Sequence, residues 1–190
     1  MSIKKYIVII GSLLLGALIF RISSVNSISN QRIVHDYDSG EKFYYNGITM
    51  NTEKITFKKA DNSDVFWNTI KNRSDNTYVV MVGMKMINEN NEKVYLDFSS
   101  FYLSMGYWFS NMDIDVFKQI NPIVKDNIRI CMEPGAEADF MIPFFIYFSN
   151  DKEDPVNKFI ASESEVVLSV GLYPVKHNIY LGINSNGEII

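Results

Sequence analysis

An antiparallel β-sandwich with one or two short helices, preceded by an N-terminal transmembrane helix, is the fold this sequence predicts. Three observations carry the prediction. Apolar residues alternate strictly along two stretches, Tyr78-Val80-Val82-Met84-Met86 and Phe140-Ile142-Phe144-Ile146-Phe148, as they do on strands with one buried face. Turn signals such as Asn46-Gly47, Asn88–Lys93 and Glu133-Pro134-Gly135 separate the short apolar runs. Residues 6–20 are uncharged and apolar, and they follow Lys4 and Lys5.

The N-terminal segment comes first. Fifteen helical residues span about 22 Å, less than the ~30 Å hydrocarbon core, so Ile3 and Ile22 are recruited while Lys4, Lys5 and Arg21 reach to the interfaces. No small-x-small cleavage site and no lipid-accepting Cys follows, which predicts an uncleaved anchor over residues 1–23. The basic side precedes the apolar run, so the rest of the chain is expected outside the cytoplasm. Residues 24–40, rich in Ser and Asn, read as a flexible tether, 41–184 as the sandwich and 185–190 as a tail.

Within the sandwich, residues 42–45 and 48–50 form a hairpin about Asn46-Gly47, and Ile55 and Phe57 mark a third strand. Asp61-Asn-Ser-Asp64 is placed to cap a short helical turn through Val65–Trp67, with Trp67 as a core plug. Tyr78 to Leu103 reads as one long hairpin whose return strand carries Val94, Leu96 and Phe98, then bends at Ser99-Ser100. Ile114, Phe117 and Ile120 recur at helical spacing behind Asp113 and ahead of Pro122, predicting a short helix. Pro143 cannot donate to a ladder, which makes its strand an edge or a broken strand. Runs at 128–132, 166–170 and 179–183 bring the expected total to between seven and nine strands.

Composition narrows function. The first 21 residues hold three of the 18 basic residues and none of the 22 acidic ones, which leaves the rest at a formal −7. That balance argues against nucleic acid as a partner. Cys131 is the sole cysteine, so no intramolecular disulfide forms. His35 and His177 are the only histidines, and a catalytic or metal constellation would have to recruit them with remote partners. Asp36–Gly40 and Asp61–Asp64 bring oxygen ligands together but lack a full calcium loop, and solvated turns are the better reading. No enzyme, cofactor or metal is expected. Tyr107, Trp108 and Phe109 are adjacent, so in an extended segment they cannot all point inward. They are the candidate partner contacts, with a lid packed on the core as the competing reading.

The order of these pieces, with Ile87-Asn-Glu-Asn-Asn91, Val94-Tyr-Leu-Asp-Phe-Ser-Ser-Phe-Tyr-Leu103 and Glu133-Pro-Gly135, resembles a loosely defined group of Gram-positive, mainly Firmicutes, surface proteins of unknown function with an immunoglobulin-like sandwich. The resemblance spans roughly residues 40–183 and implies an extracytoplasmic immunoglobulin-like domain tethered to a membrane. It transfers no catalytic residue. Together, anchor and sandwich lead to the expectation of a single-pass membrane protein whose domain binds another envelope or surface protein. The alternative is an envelope sensor or chaperone for a small ligand, sugar or metal, and a wall hydrolase comes last.

Overall fold

The computed structural model describes residues 15–24, 33–70, 76–105, 108–124, 129–147, 165–171 and 174–182. Eleven strands form among these residues: β1 (Ile33–Asp38), β2 (Phe43–Tyr45), β3 (Ile48–Lys59), β4 (Thr77–Ile87), β5 (Val94–Asp97), β6 (Phe101–Met105), β7 (Trp108–Asn111), β8 (Arg129–Met132), β9 (Glu137–Tyr147), β10 (Val166–Val170) and β11 (Val175–Leu181). Two sheets face each other, one ordered β1-β11-β10-β6-β7 and one ordered β2-β3-β4-β9, with β5-β8 as a small third sheet. The chain is a β-sandwich.

The predicted inner faces hold. Val80, Val82, Met84, Phe140, Ile142 and Phe144 all lie in the main core between the sheets. Phe98 is its hub, with ring centroids 4.6 Å from Phe117, 5.1 Å from Phe101 and 5.1 Å from Phe140. Each such ring contributes roughly 1.5–3 kcal/mol by leaving water. β4 is buried on its other face as well, where Val79 and Met81 join Phe66, Ile70, Val116 and Phe145 in a second cluster that includes half-buried Trp67. The segment 60–70 and the helix after β7 therefore cover part of the outer face of this sheet.

Pairing differs from the expected long hairpin. β4 pairs with β3 and β9, whereas β5 pairs with β8 and β6 lies in the opposite sheet. Alternation fixes which face a strand buries but not its neighbour. The redirection is done by Asn88, which is fully buried: its Nδ2 donates to the carbonyls of Glu92 (2.9 Å), Met132 (2.9 Å) and Glu133 (3.1 Å). The bend at Ser99-Ser100 is present as a 3-10 turn over Phe98–Ser100, with the Asp97 carboxylate accepting the Ser99 N–H.

Three further differences have local causes. The two strands expected at 48–50 and 54–58 are one strand with a bulge between Thr52 and Lys54, and the inserted residue shifts the parity that had divided them. Asp61 accepts from the Ser63 N–H and orders its own turn, while the 3-10 turn that follows, Trp67–Thr69, has no side-chain cap. The stretch read as tether contains β1, which pairs in parallel with β11, so the sandwich is not wholly antiparallel. β1 escaped notice because its side chains are nearly all exposed and show no apolar period. By contrast the Asn46-Gly47 turn forms as expected, with φ of 49° and 88° at the two residues.

Residues 15–24 form helix α1; the rest of the expected anchor lies outside the described residues. Among the described residues, no helix is long and apolar enough to cross a membrane. Helix α2 (Ile114–Ile120) starts where predicted, its N-cap Asp113 accepting the Val116 N–H at 3.0 Å. It lies along β9, the edge strand that Pro143 foretold.

Candidate functional site

Tyr107 lies outside the described residues. Its neighbours are separated by strand geometry: Trp108 faces inward opposite Met105 and is half-buried against the core, whereas Phe109, opposite Ser104, points outward and is 67% exposed. Trp108 thus packs on the core as a lid would, and Phe109 is the ring left exposed.

Phe109 belongs to the outer face of the five-stranded sheet. Two rows of side chains cross it. One runs Asp38, Tyr180, Val167, Ser104, Phe109, and the other Asp36, Asn178, Ser169, Tyr102, Asn111. The second row is stitched by hydrogen bonds. Ser169 Oγ donates to Asn178 Oδ1 at 3.0 Å, Asn178 Nδ2 donates to Asp36 Oδ1 at 3.0 Å, and the Tyr180 hydroxyl donates to the same oxygen at 3.4 Å. Burial, then the neighbouring Asp36 charge, raises the Tyr180 hydroxyl above its ordinary range, so it stays a donor at neutral pH. Lys176 Nζ sits 5.1 Å over the Tyr102 ring, within cation–π range. The result is a sheet face of rings and hydrogen-bonding groups in which Ser169 is fully buried beneath its neighbours. Sequence reading missed it, because single polar residues on five distant strands look like ordinary solvent-facing positions until register aligns them.

The two histidines, 142 positions apart, are register partners in β1 and β11. Their ring centroids are 5.5 Å apart. His177 is 5% exposed and is enclosed by Tyr37 (5.8 Å), Phe43 (5.5 Å) and Tyr45 (5.6 Å). Its Nδ1 is buried and, among the described residues, has no hydrogen-bond partner. Burial, and secondarily the charge of His35, holds its pKa below the usual imidazole range.

The remaining chemistry is sparse. A cleft of about 350 Å³ opens beside β8, lined by Val124, Ile130, Met132 and Phe140 with Arg129 and Cys131. Arg129 reaches Asp97 at 3.8 Å, and the Cys131 thiol is exposed. The Asp61–Asp64 carboxylates are engaged locally, Asp61 by Ser63 and Asp64 by Lys58. Among the described residues, no group of three His, Cys, Asp or Glu side chains is placed to hold a metal ion.

Residues 46–177 match the model of a family described as a domain of unknown function, DUF5028. No curated protein matches. Among solved structures, the chain is similar to an uncharacterised β-sandwich protein of Clostridium difficile (15% identity, 78% of this chain and 95% of that one, TM-score 0.43). It is also similar to the yjhA protein of Bacillus subtilis (10% identity, 77% and 99%, TM-score 0.46). A third is a functionally unknown protein of Listeria monocytogenes (11% identity, 68% and 71%, TM-score 0.44).

Proposed function

The chain belongs to the DUF5028 family, and for this member we propose a non-catalytic, membrane-tethered interaction domain of the cell envelope that binds another protein through the outer face of its five-stranded sheet. The observation that carries this reading is the asymmetry of the two sheets. The outer face of the four-stranded sheet is partly covered by residues 60–70 and α2, while among the described residues the other leaves Phe109 and Asp36 exposed and Tyr102, Tyr180 and Asn178 half-buried, with Asn178 bonded to the fully buried Ser169 beneath. Phe109 is 67% exposed on this sheet face and does not line the cleft beside β8, which favours a protein partner over a small ligand.

The immunoglobulin-like reading is supported by strand order. β4 and β9 are adjacent in one sheet, β6, β10 and β11 in the other, and the chain passes β4, β6, β9, β10, β11, as strands B, C, E, F and G do in that fold. The tether is supported by α1, where Leu15, Leu18, Ile19, Phe20 and Ile22 are 53–77% exposed and so lack cover from the domain.

A photo-crosslinking side chain at position 102 or 109 of the full-length protein in its native membrane tests the face, with position 54 on the other sheet as control. A discrete protein adduct from 102 and 109 but not 54 is expected; equal labelling from all three, or none, overturns it. Fractionation tests the tether: the intact chain is expected in the membrane fraction, and a soluble chain shortened by about 25 residues would mean a cleaved signal.

A further inference from the structure

The buried His177 imidazole has no role in the binding face, yet it is the best-enclosed titratable group beside β1. β1 buries little apolar surface. Ile33 and Val34 are 50% and 44% exposed, and only Tyr37 is half-buried, so the ladder to β11, the Asn178 and Tyr180 hydrogen bonds to Asp36 and the rings of His35 and Tyr37 hold it in place. We propose that β1 is an acid-released latch: while His35 and His177 are uncharged it docks on β11 and closes the aromatic cage, and when the pair takes up protons it leaves.

The titratable groups that face His177 are His35 and Tyr37 from β1 and Tyr45 from β2; Phe43 is the remaining wall. From β10, Val170 lies opposite it in register and carries no charge. Asp36 and Asp38 are on β1 but on the opposite face, committed to the outer rows. Among the described residues, a protonated His177 would thus be buried without a carboxylate to pair with and 5.5 Å from a second, exposed imidazole. The rings give some cation–π compensation, but moving β1 aside gives the cation water and separates the two charges. Among the described residues, β1 is the first strand, so its release frees residues 33–42 ahead of β2, about 33 Å at full extension. β1 also carries Asp36 and Asp38 of the proposed binding face, so its release removes one edge of that face. Hydrogen exchange reads β1 itself, whereas the crosslinks at 102 and 109 lie on β6 and β7, so failure of the latch and failure of the binding reading are distinguishable.

Amide hydrogen exchange on the full-length protein in detergent micelles tests it at pH 7.5 and 5.0, each rate divided by that of an unstructured peptide at the same pH. In the wild type, protection of residues 33–38 is expected to fall at least tenfold at pH 5.0 while 78–87 in β4 keeps its protection. His177→Phe, which keeps a ring and removes the titration, is expected to protect 33–38 equally at both values. His35→Gln, at an exposed position, is expected to shift the midpoint of the loss to lower pH. Unchanged protection of 33–38 in the wild type, loss in β1 and β4 together, a pH response retained in His177→Phe, or an unchanged midpoint in His35→Gln would overturn the latch.

Discussion

The side-chain amide of Asn121 makes both backbone hydrogen bonds of Met141, donating from Nδ2 to its carbonyl at 2.8 Å and accepting its N–H at Oδ1 at 2.9 Å. Two residues along, the Pro143 carbonyl accepts the Asp113 N–H at 3.1 Å. β9 is an edge strand, and such edges recruit other chains unless they are covered. Asn121 acts as one residue of a missing neighbour strand, held in place by a further bond from Nδ2 to the Phe117 carbonyl at 2.8 Å. Asn121→Asp keeps the acceptor and loses the donor, leaving a buried carboxylate against carbonyl oxygens. We expect it to cost about 1–3 kcal/mol in urea unfolding and to raise aggregation; a change under about 0.5 kcal/mol would mean that α2 alone seals the edge.

Phe140 is 1% exposed and packs on both Phe98 and Phe117. Phe140→Ala should cost roughly 3–5 kcal/mol, a large part of a marginal total. The same unfolding experiment checks it, and a loss below about 1 kcal/mol would mean that the core collapses into the cavity far better than rigid packing allows.

Periodicity made the inner faces legible, and turn chemistry made the Asn46-Gly47 hairpin, the Asp113 cap and the Pro143 edge legible, because each is set by local stereochemistry. Strand partnership was not legible. Asn88 and Asn121 sit in runs that read as polar loops, yet both are buried and hold the backbone of distant strands. The candidate face was half legible. The adjacency of Trp108 and Phe109 required that one point outward, but not that Phe109 would fall in line with Tyr180 and Ser104 across the sheet. Nor could spacing reveal the meeting of His35 and His177, which depends on a parallel pairing between the two ends of the domain.

Trp108 and Phe109 should respond in opposite ways. Trp108 packs on the core, so Trp108→Ala should cost about 2 kcal/mol and weaken partner capture only through that loss. Phe109→Ala should leave stability within ~0.5 kcal/mol and reduce capture directly, as expected of an exposed aromatic anchor. Melting and capture measured on both variants separate the roles; full capture by a stable Phe109→Ala chain would remove it from the binding face.

The stability of the domain should fall on mild acidification, and the sign follows from His177. A free imidazole titrates near 6.5, and burial holds the native group below that. Above pH 6.5 both folded and unfolded chains carry a neutral ring, so the contribution is fully present. As pH falls below 6.5 the unfolded chain binds a proton that the native chain refuses, and stability declines until the lower native pKa is reached. Cation–π contacts with Tyr37 and Tyr45 return about 0.5–2 kcal/mol to the charged form, less than the several kcal/mol that burying an ion costs, so the decline survives. Carboxylates held low, such as Asp61 beside the Ser63 hydroxyl and N–H, act in the same direction but only at more acid pH. Urea midpoints at pH 7.5 and 5.0 should therefore differ in the wild type and differ less in His177→Phe. An equal drop in both chains would place the acid sensitivity elsewhere than in the His35–His177 pair.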